Sequence, residues 1–362
     1  MEEKYNYWFG TCKGISDKKK IEIVEKIKSP QMLYNIEEKE AISIMKLNEK
    51  EREAFAAHKK NWALEKEYEK LQISKAVCIP YQSKQYPEQL KQIKYPPYAL
   101  YVKGKLPDEN KPSVAIVGAR KCTPYGREIT KWYAQELAKA GVQIISGMAY
   151  GIDETAQNEV VKNGGNSFAV LGCGANICYP REQFELYMEL QEKGGIISEF
   201  GLSQPPLAQH FPARNRIISA LSQIVLVMEA KERSGSLITS DMALEQGKDV
   251  YALPGPVNSE YSRGCHRLIA QGAGILLSPE EIIEELGIYR QQITSKLFHN
   301  EKKLETKEEL VYSCLDLLPK GIEKIQAEVK MDISDLVRCL IALEMKGLVR
   351  EVAKNHYIKM RQ

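Results

Sequence analysis

From about residue 114 the chain alternates short, unbroken apolar runs with longer stretches in which apolar residues recur every three or four positions. The runs fall at residues 114–117, 143–146, 168–171, 196–198, 224–228, 250–253 and 275–277. Their lengths suit strands, and a strand covered on both faces reads as a continuous apolar run. Helical spacing occupies 126–140, 152–163, 181–193 and 237–246. Strand–helix alternation of this kind predicts an α/β fold with a doubly wound, mainly parallel sheet. In such sheets ligands bind at the carboxyl ends of the strands.

The flanks read differently. Up to about residue 72 the chain is strongly charged, with apolar residues at helical intervals. Ile36, Ile42, Ile44 and Leu47 mark one stretch (29–47), and Phe55, Trp62, Leu64, Tyr68 and Leu71 another (49–71). These predict a small helical domain over residues 1–72. The lysine runs at 18–20 and 59–60 sit among acids and read as solvated helix faces. A Pro/Tyr-rich stretch at 81–97 interrupts helices ahead of the α/β domain, which is set at 73–288. A polar linker, 289–308, precedes a last domain at 309–362. That domain reads as helices at 309–318, 322–329 and 333–345, then two short strands around Lys354 and Asn355. Three helices and a hairpin are the pattern of a winged helix. Its third helix carries only Arg338 and Lys346 as cations, few for reading a major groove.

Composition narrows the classes. The 362 residues are 43% hydrophobic and 27% charged, enough for buried cores. No apolar run is long enough to span a membrane. The opening MEEKYNYWFG has no apolar core followed by a cleavage site, so it is not read as a secretory signal. Eight scattered cysteines form no C-x-x-C pair and no zinc spacing, which predicts reduced thiols in a cytoplasmic protein and no metal. A net charge of +3 neither demands nor excludes a polyanion.

The strand ends carry the chemistry. Gly118-Ala119-Arg120-Lys121 follows the first strand, and Ser146-Gly147-Met148-Ala149-Tyr150-Gly151 the second. Gly172-Cys173-Gly174 follows the third, and Ser234-Gly235-Ser236 and Pro254-Gly255-Pro256 follow later ones. Several glycine turns at helix starts offer free N–H groups to an anion. The most telling segment is Phe211-Pro212-Ala213-Arg214-Asn215-Arg216, placed just before an apolar helix. Guanidinium forks hold phosphate oxygens and a phenyl ring stacks a base, which are the parts of a single-strand binder. The same residues also allow Phe211 as a hydrophobic staple and the arginines paired with Glu199 or Glu229.

Other chemistries fit less well. The turn at Gly118 is not G-x-G-x-x-G, and no G-x-x-x-x-G-K-[ST] loop exists, so neither a dinucleotide site nor P-loop hydrolysis is expected. Asp153 reads as a helix N-cap. His210 and His266 stand without a nucleophile, and H-E-x-x-H and G-x-S-x-G are missing. No catalytic residue and no cofactor are assigned.

Taken in order, VAIVGAR from Val114, SGMAYGID from Ser146, the Tyr179-Pro180 pair, ISEFG from Ile197, FPARNRIISALS from Phe211, VMEAKERSGSLIT from Val227 and ALPGPV from Ala252 resemble the DNA-processing protein A family (DprA, also called Smf). The resemblance runs from about residue 81 to 286. It implies a Rossmann-like domain that binds single-stranded DNA, is not an enzyme, and loads the recombinase RecA during natural transformation. It also implies a homodimer, and the flanking domains suit the family's layout of a helical (SAM-like) unit before and a winged-helix-like unit after. By motif, Arg120 would grip phosphate, Gly147 and Gly151 would let the strand approach, and Phe211 would stack a base. Arg214 and Arg216 would clamp the backbone, and Ser234, Gly235 and Ser236 would donate hydrogen bonds. Lys121, Met148, Asn215 and Thr239 lie within the same motifs and complete the candidate contacts. The chain departs from the family pattern at Gln157, where a His is usual, and at His266, where an Asn is usual.

Two other functions compete. A phosphoribohydrolase-like enzyme would carry a PGGxGTxxE loop, which the stretch from Ser234 to Asp241 lacks. A winged-helix regulator would need a more cationic recognition helix.

Overall fold

The computed structural model describes residues 2–288 and 306–360. The region read as a linker lies mostly outside the described residues.

Six helices come first: α1 (Glu3–Thr11), α2 (Asp17–Ile27), α3 (Pro30–Asn35), α4 (Glu38–Met45), α5 (Glu49–Asn61) and α6 (Leu64–Ile73). The two amphipathic stretches of the sequence thus split into four helices, and α1 and α2 are additional. The breaks have local causes. Ser29 and Asn48 cap new helices, the latter in a reciprocal box with Glu51, while Lys46 takes a left-handed φ of 49°. Tyr7, Trp8, Phe9 and Phe55 are fully buried. This aromatic core does not stop at the helices. Phe9 meets Tyr98 edge-on at 5.4 Å and Tyr7 meets Tyr101 at 5.6 Å, and the same cluster reaches Leu171 and Ile196 of the sheet. The helical segment therefore roofs one end of the sheet and shares its core.

The sheet comprises β1 (Val77–Pro80), β2 (Ala99–Gly104), β3 (Ser113–Val117), β4 (Gln143–Ser146), β5 (Ser167–Leu171), β6 (Gly194–Ser198), β7 (Ile224–Val227), β8 (Asp249–Ala252) and β9 (Gly274–Ile275). Its order is β1-β2-β6-β5-β4-β3-β7-β8-β9, parallel from β6 to β9, with β2 and β1 added antiparallel. The parallel strands coincide with the seven apolar runs to within a residue or two. Strands β1 and β2 were not foreseen.

Helices cover both faces: α7 (Glu88–Lys91), α8 (Pro124–Lys139), α9 (Ile152–Lys162), α10 (Phe184–Lys193), α11 (His210–Ala220), α12 (Gly235–Glu245), α13 (Arg263–Ala270) and α14 (Pro279–Glu285). Strand β3 shows the alternation. Val114 and Ile116 pack with α8, α9 and α14 on one face, while Ala115 and Val117 pack with α11, α12 and α13 on the other. Since β4 lies on one side of β3 and β7 on the other, the order reverses between β3 and β7, and a crevice opens there at the strands' carboxyl ends.

The last unit has its own core around Leu336, Leu340 and Leu343. It consists of α15 (Thr306–Ser313), β10 (Lys320–Gly321), α16 (Ile322–Val329), α17 (Ile333–Met345), β11 (Val349–Ala353) and β12 (His356–Lys359), with strand order β10-β12-β11. Helix α15 ends at Ser313, short of the expected 318. An ion pair of 3.4 Å between Arg350 and Glu128 links this unit to α8.

Candidate nucleic-acid interface

The crevice between β3 and β7 is a cleft of about 810 Å³. Its first wall is the turn after β3. This turn and the start of α9 interlock. The Ile152 N–H donates to the Ala119 carbonyl (3.2 Å), and a Cβ on Gly151, whose φ is +80°, would lie 2.4 Å from that same oxygen. Gly151 is therefore needed for contact within the protein. Thr123 then caps α8. The result leaves Arg120 and Lys121 exposed at the rim, with no carboxylate partner among the described residues. The Arg120 guanidinium lies 5.7 Å from the Phe211 ring centroid.

The turn after β4 faces inward. Met148 has φ +52° and a fully buried side chain, so its side chain is not presented to the cleft. The Met148 N–H donates to Gln157 Oε1 (3.0 Å), and the Gln157 amide donates to Ser167 Oγ (3.2 Å). An amide performs both tasks at once, which gives the family departure at 157 a structural use. The Gly147 N–H donates to Asp153 Oδ2 (3.1 Å). The N-cap of α9 is Gly151, and Asp153 sits in the first turn holding this loop.

Arg214 fills the space beneath. It is 5% exposed, and Nη1 donates to the carbonyls of Gly147 (3.0 Å) and Val170. A Cβ on Gly147 would meet that guanidinium at 2.5 Å, so the glycine makes room for Arg214. Burial drives the Arg214 pKa down to about 10 although Asp153 opposes it. Burial also raises the Asp153 carboxyl, against the pull of Arg214 and the loop N–H groups. Arg214 still borders the cleft, but as part of its floor.

The segment expected to precede a helix is inside it: α11 begins at His210, with Pro212 tolerated in the first turn. Helical phase then separates the motif. Phe211, Arg214 and Asn215 line the cleft. Arg216 does not. It makes a bidentate pair with Glu199 (2.6 and 2.5 Å), and Nε donates to the Tyr95 carbonyl (2.9 Å). Of the two readings of Arg216 that the sequence allowed, a backbone clamp or a pair with Glu199, the geometry supports the pair. Phe211 packs at 5.4 Å and 37° against Tyr179, a half-exposed ring that the sequence reading named only as part of the Tyr179-Pro180 pair and not as a contact.

The second wall is the start of α12. Ser234 Oγ accepts the Ser236 N–H (3.4 Å) and lies 2.7 Å from Ser236 Oγ, while Asn215 Nδ2 donates to the Gly235 carbonyl (3.3 Å). Thr239 is buried behind them. Lys231, Arg233 and Tyr261 also line this wall and were missed, although the K-E-R run before Ser234 was a readable signal. The Lys231 ammonium sits 4.5 Å over the Tyr261 ring and 2.7 Å from Glu260. Arg233 is exposed and unpaired among the described residues. Four cations at the rim, two helix-start walls and stackable rings suit a phosphate chain bearing flat bases. Among the described residues no cluster of three metal-ligating side chains occurs, and no helix is long and apolar enough to cross a membrane.

Comparison with known proteins agrees with this chemistry. A family model described as DNA recombination-mediator protein A matches residues 77–287. Protein Smf of Escherichia coli is 48% identical over 209 residues, 58% of this chain and 56% of that protein. DNA processing protein DprA of Streptococcus pneumoniae is 42% identical over 200 residues, 55% of this chain and 71% of that protein. The crystal structure of the Streptococcus pneumoniae DprA superposes with a TM-score of 0.69 at 32% identity, covering 78% of this chain and 97% of that one. DprA from Helicobacter pylori, whose structure was described for its single-stranded DNA binding mode, gives 0.52 at 31% identity, covering 56% of this chain and 94% of that one.

Proposed function

This chain belongs to the DNA recombination-mediator protein A family, and we propose that it binds single-stranded DNA in the cleft between β3 and β7 and delivers that strand to the recombinase RecA. The observation that carries the reading is the set of unneutralised cations, Arg120, Lys121 and Arg233, placed around the Phe211 and Tyr179 rings. The cations supply affinity without sequence preference, and each stacked base adds about 1–3 kcal/mol. The binding is read as not tied to a reaction, since the buried acids beside the cleft, Asp153 and Glu229, accept hydrogen bonds that hold its loops. The protein works in the cytoplasm, where it would protect incoming strands during DNA uptake.

A homodimer fits the open edge of the sheet. Ile275 and Leu277 at β9 are 43% and 65% exposed, and an unprotected apolar edge invites pairing. The C-terminal unit is read as a winged-helix-like fold that holds protein rather than DNA. The exposed face of α17 presents Ile333, Val337, Ile341 and Met345 alongside Arg338.

The test is fluorescence anisotropy with a labelled oligo-dT and a matching duplex across a salt titration. Tight, salt-sensitive binding that prefers the single strand supports the reading. Equal affinity for the duplex, or none for either, refutes it. RecA delivery is checked by filament formation on a strand covered with single-strand-binding protein, with and without this chain.

A further inference from the structure

One buried carboxylate beside the cleft touches no candidate DNA contact, yet it joins the cleft's two walls. Glu229 follows the end of β7 and is 3% exposed. Its Oε2 accepts the Thr123 N–H (2.8 Å) and its Oε1 accepts the Thr123 hydroxyl (2.6 Å). Thr123 Oγ1 accepts the Gly126 N–H (3.1 Å), so the same residue caps α8. A Cβ on Gly126 would lie 2.3 Å from Glu229 Cδ, which makes the glycine the seat of this carboxyl. On the other side the backbone of the next residue is held as firmly. The Ala230 N–H donates to the Tyr261 carbonyl (2.8 Å), and the Ala230 carbonyl accepts the Gly264 N–H (2.8 Å). Lys231 and Arg233 follow immediately, and Arg120 and Lys121 precede Thr123 by two or three residues.

We propose that Glu229 is a positioning residue, bracing the wall that carries Arg120 and Lys121 against the wall that carries Lys231 and Arg233 so that both grip one strand. The proposal rests on the single-strand reading of the cleft. Among the described residues no cation pairs with Glu229, and burial raises its carboxyl above the usual range despite the two Thr123 bonds. A neutral amide therefore serves the same geometry, with its oxygen accepting the Thr123 N–H and its NH₂ donating to the Thr123 hydroxyl oxygen.

The experiment measures oligo-dT affinity for the full chain, Glu229→Gln and Glu229→Ala, each with and without Arg120→Ala. Loss of two buried hydrogen bonds predicts about 10-fold weaker binding for Glu229→Ala. Glu229→Gln stays within about 3-fold of the parent, since its amide keeps both bonds. Residues in one network couple, so Arg120→Ala should cost less in the Glu229→Ala background than in the parent. A purely structural role would lower the melting temperature but leave the two losses multiplying. The brace is overturned if folded Glu229→Ala binds like the parent, if the losses multiply fully, or if Glu229→Gln fails as badly as Glu229→Ala. Should Glu229→Ala not fold, Thr123→Val removes one of the bonds and must show the same coupling. Amide exchange in the DNA-free protein separates the two ideas. If the parent itself ignores single strands, the binding reading falls. The brace then stands only if the Thr123 amide exchanges slowly in the parent and Glu229→Gln and quickly in Glu229→Ala.

Discussion

The turn after β3 and the first turns of α11 both bring arginine to the same cleft, and they use it in opposite ways. Arg120 leaves a glycine turn, meets no carboxylate among the described residues and stands exposed over the Phe211 ring. Arg214 and Arg216 leave a helix and turn back into the protein, one onto the carbonyls of Gly147 and Val170, the other onto Glu199. The lesson is about context. A guanidinium is a ligand-binding group where the backbone leaves it in water. It is a structural tie where the backbone delivers it to orphan carbonyls or a carboxylate, because a buried charge must be satisfied inside. Counting arginines near a crevice says little until each is traced to its partners.

The comparison is easiest to break at Arg214. Arg214→Ala should remove the support of the loop after β4 and leave Asp153 as a buried carboxylate without its counter-charge. A buried acceptor left without its donor costs about 1–3 kcal/mol, so with two carbonyls orphaned denaturant unfolding should show a loss of about 2–5 kcal/mol. Combining Arg214→Ala with Asp153→Asn should recover part of that loss, because the buried carboxylate is then neutral. If Arg214→Ala is as stable as the parent and fails solely in DNA binding, then Arg214 belongs with Arg120 and the contrast collapses.

Arg216→Ala probes the other half of the same helix. Its pair is bidentate and mostly buried, so stability should fall by about 2–3 kcal/mol, somewhat less than for Arg214 because the side chain keeps some solvent. Oligo-dT affinity, measured well below the melting temperature, should stay within about 3-fold, as expected for a group outside the cleft. A large affinity loss at unchanged stability would return Arg216 to the binding site.

How much of this was legible follows from the same physics. The seven parallel strands were readable because both of their faces are covered, which turns each into a plain apolar run. Strand β1 was not, since it is a four-residue edge that ends in Pro80, a residue with no N–H for the ladder. Strand β2 was lost behind Pro96 and Pro97, which suggested a break rather than a strand about to begin. The glycine turns pointed to the crevice between β3 and β7, and at Gly147 and Gly151 the structure shows a task within the protein itself. Gly147 and Gly151 make room for Arg214 and for the turn after β3, and close approach by the protein's own atoms leaves the same signature as close approach by a ligand. The two arginines of the FPARNR segment were read as one clamp because the segment was taken to precede the helix. Inside a helix, residues two apart point to nearly opposite sides, so Arg214 and Arg216 cannot share a phosphate chain. Lys231 and Arg233 were overlooked because their K-E-R run, though it stands just before the glycine turn at Ser234, has no period to say which way each side chain faces.

Arg120→Ala tests the exposed side of the contrast. A charge-assisted contact to phosphate is worth about 1.5–3 kcal/mol, so single-strand affinity should drop about 10- to 100-fold, with stability changed by no more than about 0.5 kcal/mol. Arg233→Ala should give the smallest effect and the sharpest discrimination. Arg233 stands at the far rim and touches nothing that a folded core needs. If it neutralises one phosphate, the slope of log affinity against log salt should fall by about 0.7, the value for a single strand, while affinity at low salt changes modestly. The melting temperature should not move. A parent-like salt slope would place Arg233 outside the strand's path. The strand would then leave the cleft on the side of Tyr179, and the two rims would no longer be equivalent partners in the grip.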